Sequence, residues 1–401
     1  MRTRLLGLLA IYLGVSLVLT GCWNSRELNE LAIVSGIGID KLDGKEGYRV
    51  TFQIINPSSS APTAGAASSQ PPIVVISTTD RTIFGALRKA SRRATRQLFF
   101  AHTQLLIIGE SLARSGVTNL FDIFDRSHEL RLNSAVLISK DTDAASVLKL
   151  LTTVDNLPSM GIVRKMQNTS SVWGENRRII VFDVINDITG ASDFTMNGIK
   201  VVGNAEEGKK KSSVEQSEPL AGSLMSGLAV IKKGKLISWL DSSESIGTQW
   251  LLDKIQETNI NVASPSGEED ISVNVIYSKT AAKIEVRDGK PVFHIHIREE
   301  GVINETGGYV DLSNPEEIQK LELELEEQTG KDIKLAMKAA QGMKADIFNF
   351  GNELQRTQPK IWAAVKNDWS SVFAEGELDL QVDAYIRGTG MRLKPYIPAE
   401  K

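Results

Sequence analysis

A single cysteine, Cys22, stands just behind an uncharged, mostly apolar run over residues 5–19, which itself follows Arg2 and Arg4. That placement limits both the covalent chemistry and the compartment open to the chain. With one thiol there can be no intrachain disulfide framework, no CxxC redox pair and no multi-thiolate zinc site. The run of about 15 residues is the size of a signal-peptide core and falls short of the roughly 20 that a spanning helix needs. Its end, Leu19-Thr20-Gly21-Cys22, looks like a bacterial lipobox, where small residues precede the cysteine and cleavage follows attachment of a diacylglycerol to the thiol. We expect a signal peptide over 1–21, with Leu19, Thr20 and Gly21 recognised by the peptidase and Cys22 lipidated. Each buried CH₂ contributes about 0.8 kcal/mol, so two or more acyl chains hold a protein on a leaflet without spanning it. The folded part is then extracytoplasmic.

The 401 residues exceed what one core usually takes, so two or three packed domains are expected. A formal net charge of −3 gives no global electrostatic case for a nucleic acid partner. Apolar residues at 31–40 and an alternating stretch at 48–54 flank Asp43-Gly44 and predict a hairpin. Residues 56–72, rich in Ser, Ala and Pro, predict a mobile loop. Asp80 is placed to cap a helix over 80–99, in which Ile83, Phe84, Leu87, Ala90, Ala94 and Leu98 recur at three-to-four spacing. Strands at 105–108, 134–139 and 198–202 alternate with helices at 111–125, 144–151, 158–167 and 182–189, a pattern of mixed α/β layers. Residues 203–220 turn polar and predict a linker or a long hairpin. Beyond them, hairpins around Lys233-Gly234 and Asp288-Gly289 predict an antiparallel sheet, with strands at 269–277, 282–286 and 292–299. Asn314-Pro315-Glu316-Glu317 begins a helix reaching about 341, and helices at 346–356 and 359–373 follow. Strict alternation over 377–387 makes a final half-buried strand. The expected fold is thus α+β or mixed α/β and multi-domain: mixed sheets flanked by helices, with an antiparallel, hairpin-rich C-terminal half that ends in a long helix, further helices and a last strand. The expected division is an N-terminal α/β domain over 22–202 and a C-terminal α+β domain over 221–395.

Chemistry-bearing motifs are scarce. Gly36-Ile37-Gly38 follows a strand, but Lys41 stands where a dinucleotide fingerprint needs its third glycine. GxxxxGK[ST], GxSxG and HExxH are absent from the sequence. His294 and His296 share one strand face and could offer two metal ligands. With His102 and His128 in the other half, a third would have to be a carboxylate, and two solvated imidazoles are the simpler reading. No catalytic residue, metal or cofactor is expected. Arg81, Arg88, Lys89, Arg92, Arg93 and Arg96 crowd one segment of a net acidic chain. They read either as a solvated helix face or as a contact for anionic headgroups or an acidic partner loop. Trp362 and Trp369 lie seven apart, on one face of an expected helix, where core packing is the default reading and an aromatic partner site the alternative. In Arg387-Gly388-Thr389-Gly390 one cation projects from a glycine turn, which reads first as strand termination and second as a contact.

The sequence resembles the Ger(x)C family, the C-subunit lipoproteins of nutrient germinant receptors in endospore-forming bacteria. The residues that carry the likeness begin at Cys22-Trp23-Asn24-Ser25-Arg26-Glu27-Leu28 and continue through Leu31-Ala32-Ile33-Val34-Ser35-Gly36-Ile37-Gly38-Ile39-Asp40 and Ala101-His102-Thr103-Gln104-Leu105-Leu106. Arg131-Leu132-Asn133, Ala345-Asp346-Ile347-Phe348-Asn349-Phe350-Gly351, Pro359-Lys360-Ile361-Trp362 and Ile386-Arg387-Gly388-Thr389-Gly390 extend it over nearly the whole chain. Asn24 departs from it, since members often carry an acid there. The resemblance implies a multi-domain α/β fold and a non-enzymatic subunit that acts with two integral-membrane subunits, A and B, at the spore inner membrane; it leaves open whether this subunit binds the nutrient. A substrate-binding lipoprotein of a small-molecule importer is the alternative, against which the hairpin-rich second half argues. A hydrolase using Asp383 or Glu377 is weaker still, because alternating acids on an outward strand face are explained by solvation.

Overall fold

The computed structural model describes residues 27–57, 71–190, 192–264, 270–307 and 310–394, together with positions 2, 4, 5, 7 and 12. Leu19, Thr20, Gly21, Cys22 and residues 58–70 of the expected loop lie outside the described residues. The base of that loop is closed by Asn56 N donating to Pro72 O at 2.9 Å.

The first sheet starts with the expected hairpin, β1 (Leu31–Lys41) and β2 (Tyr48–Ile55), and adds β3 (Ile73–Asp80) antiparallel on its outer edge. The helix expected over 80–99 is corrected to α1 (Ile83–Lys89), a 3₁₀ turn at Ala90–Arg92 and a short strand, β4 (Gln97–Phe99), parallel to Leu31–Ile33 of β1. Its cap is Thr82, whose Oγ1 accepts from Gly85 N at 3.0 Å, rather than Asp80. The apolar spacing at Ala94 and Leu98 continues the helical pattern only by coincidence: Gln97–Phe99 gain backbone pairing with β1 instead.

β5 (Leu105–Gly109), α2 (Glu110–Ser115), α3 (Thr118–Arg126), β6 (Ala135–Ser139), α4 (Ala144–Lys149), α5 (Pro158–Val172), α6 (Val181–Thr189) and β7 (Phe194–Gly203) follow. β5 and β6 are buried at every residue, as parallel strands covered on both faces must be. Alternation divides them. Leu106, Ile108, Val136 and Ile138 join one core with α1, α2, α3 and α6, while Leu105, Ile107, Ala135 and Leu137 join a second with α4 and α5. The result is a helix–sheet–helix sandwich.

Residues 203–220, with a one-turn helix α7 (Ala205–Gly208), join β7 to its antiparallel neighbour β8 (Ala221–Lys232), so the pairing makes this stretch a long hairpin connection. β9 (Lys235–Leu240) completes the order β3-β2-β1-β5-β6-β7-β8-β9. β8 serves two cores: Ala229 and Ile231 belong to the first, Leu228 and Val230 to a third that lies under the second sheet.

That second sheet follows α8 (Ser243–Leu251) and has the order β10-β11-β12-β13, with β10 (Thr258–Ala263), β11 (Asp270–Arg287), β12 (Lys290–Thr306) and β13 (Glu377–Gly388). The two strands expected at 269–277 and 282–286 are one continuous β11, bulged between Val275 and Tyr277. Asp288 (φ 51°) and Gly289 (φ 81°) make the tight turn to β12. The sheet is mixed rather than antiparallel: β13 pairs parallel to β12, after a crossover through α9 (Pro315–Gly342), α10 (Phe350–Thr357), α11 (Pro359–Val365) and α12 (Trp369–Ala374). α9 is capped by Asn314 and begins at Pro315, as read from the sequence.

The helix expected from 346 starts only at Phe350. The buried Asp346 carboxylate takes the intervening turn instead, accepting from Phe348 N (3.3 Å), Phe350 N (3.1 Å), Gly351 N (2.7 Å) and Trp369 Nε1 (2.8 Å). Burial raises its pKa against these donors. Trp362 packs edge-on against Trp369 with centroids 5.4 Å apart, so the tryptophan pair belongs to the third core.

Candidate functional site

The basic segment is built by the end of β3, α1 and the turn that returns to β4, and its cations have unequal surroundings. The Arg88 guanidinium lies 4.6 Å from the centre of the Phe84 ring and donates to Glu129 Oε1 at 2.7 Å. Lys89 Nζ donates to Thr79 O at 2.8 Å and lies 3.6 Å from Asp80. Arg93 donates to Ser77 O at 2.6 Å. Ser77 and Thr79 belong to β3, the edge strand of the first sheet, so Lys89 and Arg93 occupy backbone acceptors that an added strand would otherwise use. Arg92 and Arg96 are exposed and have no acidic partner among the described residues. The six cations thus have three kinds of surroundings: Lys89 and Arg93 lie on the β3 edge, Arg81 and Arg88 face glutamates, and Arg92 and Arg96 are exposed.

Between α1 and α3 lies a groove of about 560 Å³. Tyr48, Ile83, Phe84 and Ile123 supply its apolar lining, and Arg88 and Arg126 stand at its rim, each already matched by a carboxylate: Glu129 for Arg88 and Asp122 for Arg126.

Arg387 lies far from these, on the outer face of the second sheet. It donates to Glu300 Oε1 at 3.0 Å, which holds that carboxyl below its ordinary range, and its guanidinium sits 4.8 Å from the Tyr385 ring centre. Arg298 approaches the same ring at 5.4 Å and the same carboxylate at 3.0 Å. Parallel pairing of β12 with β13 sets His294 beside Asp379 at 2.6 Å, and His296 reaches Asp383 at 2.7 Å. Gln381, then His296, hold the Asp383 carboxyl below its usual value. The imidazoles are thus paired with aspartates rather than simply solvated, and periodicity gave no sign of it because the partner strand is about 85 residues away. Among the described residues, no group of three or more His, Cys, Asp or Glu side chains converges to hold a metal ion.

Comparison with known proteins decides what kind of chain carries these features. Residues 24–201 match the profile described as "Spore germination protein N-terminal domain", and residues 226–390 match "Spore germination B3/ GerAC like, C-terminal". Spore germination protein KC of Bacillus subtilis (strain 168) is 33% identical over 395 residues, covering 97% of both chains. The chain belongs to the Ger(x)C family. Spore germination protein B3 of the same organism is 26% identical, covering 93% of this chain and 95% of its own. The crystal structure of the GerBC protein shares the fold, with a TM-score of 0.56 at 20% identity, over 88% of this chain and 97% of that one. In a Ger(x)C chain the segment 345–351 and the Trp362 and Trp369 motifs now have a physical role: they form the Asp346-centred turn that seats α10 and α12 on the second sheet.

Proposed function

We propose that this chain is a lipid-anchored, non-enzymatic subunit of a nutrient germinant receptor, acting with integral-membrane A and B subunits to trigger spore germination. The observation that carries the reading is the 33% identity to a spore germination protein across 97% of both chains. The lipobox-like Leu19-Thr20-Gly21-Cys22 supports tethering on the extracytoplasmic face of the membrane, by resemblance the spore inner membrane. Among the described residues, no helix is long and apolar enough to cross a membrane. Arg88, Lys89, Arg92, Arg93, Arg96 and Arg387 remain the proposed contacts with membrane or partner. Arg92 and Arg96 are the ones to reverse first, because Lys89 and Arg93 also cap β3 and Arg387 is held by Glu300.

The test is the germination response, across a panel of nutrients, of spores lacking the gene and complemented with wild-type or Cys22→Ala protein. Loss of a response that only the wild type restores is the expected result. A fully active, membrane-located Cys22→Ala protein overturns the anchor, and a normal response in a deletion strain free of paralogues overturns the receptor role. Arg92→Glu with Arg96→Glu should weaken sedimentation with membranes at low salt without lowering thermal stability, and retention that is insensitive to both salt and substitution would remove these cations from the interface.

A further inference from the structure

At the carboxyl end of β1, three turns remote in sequence surround a cavity of about 720 Å³. Lys41 ends β1 and Lys45 lies in the turn to β2, the residue after β3 is Arg81, and Lys233 lies in the β8–β9 turn with Lys235 beginning β9. Glu46 is the one carboxylate among the lining residues described, and it lies 3.4 Å from Arg81. Five cations against one acid in a chain of net charge −3 is a concentration that composition does not explain. A concave site of one sign focuses the field and raises the local concentration of the opposite ion.

The backbone agrees with the side chains. α3 begins in the wall of the cavity, with Thr118 and Asn119 lining it, no side-chain cap from Val117 and no acid in its first turn; Gly234 O accepts from Val117 N at 2.8 Å, so no carboxylate offsets the positive end of its dipole there. Four glycines line the cavity, Gly44, Gly47, Gly116 and Gly234, all with positive φ; a Cβ added at Gly44 would meet nothing within 4 Å and one at Gly116 nothing nearer than 3.8 Å, whereas one at Gly47 would meet the backbone of Asp80. Gly234 is confined by space as well as by its φ of +73°, since a Cβ there would collide with the Thr118 hydroxyl. This glycine lets the Lys233–Lys235 turn close onto α3.

We propose that this cavity binds a small anion bearing phosphate groups. The volume falls in the roughly 300–1,000 Å³ range of small-molecule sites. Four ammonium groups, each a point charge with three donors, suit an anion with several spread oxygens better than a lone carboxylate. The site stands at the opposite end of β1 from Leu31, where the chain leaves the anchor segment, and its occupation does not depend on the receptor reading.

The experiment is calorimetric titration of the full chain with pyrophosphate, in nanodiscs of phosphatidylcholine. Saturable binding is expected, weakening as salt is raised, and weakened at least tenfold by Lys233→Glu with Lys235→Glu. The paired control Lys209→Glu with Lys210→Glu, on another basic turn, should bind as the wild type does. Absence of saturable binding, or equal binding by both variants, overturns the proposal. Repeating the titration in nanodiscs containing phosphatidylglycerol separates the sources of phosphate: unchanged affinity supports a soluble ligand, whereas loss of pyrophosphate binding assigns the cavity to a lipid headgroup and overturns it. Because the readout is binding to purified protein, its failure leaves the germination experiment untouched.

Discussion

Glu299 is fully buried on β12 and faces α9, where its carboxyl accepts from Thr329 Oγ1 at 2.9 Å and leaves Oε2 without a partner among the described residues. Burial pushes its pKa from the ordinary 4.5 up to about 8. Between those values the folded chain keeps a proton that the unfolded chain has released, so this group makes stability fall as pH rises, by up to about 1.4 kcal/mol per unit. Glu299→Gln should abolish that slope: urea midpoints measured near pH 5 and near pH 8 should draw together in the variant and diverge in the wild type. The sequence shows why the residue points inward, since it continues the row Phe293, Ile295 and Ile297, but not that it would be sealed beneath a helix. Asp346 makes a second residue-scale prediction. Asp346→Ala leaves three buried backbone N–H groups and the half-buried Trp369 Nε1 without an acceptor at about 1–3 kcal/mol each, so an unfolding free energy lower by several kcal/mol, read as a lower urea midpoint, and altered emission from Trp369 are expected. An unchanged midpoint would mean that the turn holds itself.

At the scale of elements, both long outer strands carry blocked edges. β3 is held by Lys89 and Arg93, and β13 by α9, whose Glu326 and Glu322 accept from the Ala384 and Ile386 amides at 3.1 and 2.9 Å. Unblocked edges invite a further strand. Glu322→Ala with Glu326→Ala should therefore produce concentration-dependent self-association in sedimentation velocity, at a cost to the monomer of only about 1 kcal/mol per lost bond. A variant that stays monomeric at high concentration would show that another device protects β13. Elements whose signals are local were legible in the sequence: the β1–β2 and β11–β12 hairpins, the Asn314–Pro315 helix start and the alternation of β13. Among those that failed, the helix over 80–99 and the one from 346 were overridden by a strand pairing and by a buried carboxylate, and the antiparallel second sheet by the crossover that brings β13 parallel to β12.

For the whole molecule, β8 is the decisive strand. Its alternate residues fill two cores, Ala229 and Ile231 one, Leu228 and Val230 the other, so neither half buries its apolar surface without it. Urea unfolding should then be a single transition, with far-UV circular dichroism and tryptophan emission coinciding. Two separated transitions would show that the halves fold independently despite the shared strand.

The sequence by itself determined the lipobox-like start, the family resemblance, the shortage of catalytic motifs and the alternation of strands such as β2 and β13, because these are written in neighbouring residues or in a fixed period. Tertiary structure alone decided which cations cap a strand and which are free, which aspartates meet His294 and His296, and that residues 41–45, 81 and 233–235 share one cavity. Periodicity specifies which way a side chain points but carries no record of what the chain brings back to meet it, so contacts across dozens to nearly two hundred residues are set by the packing of the whole.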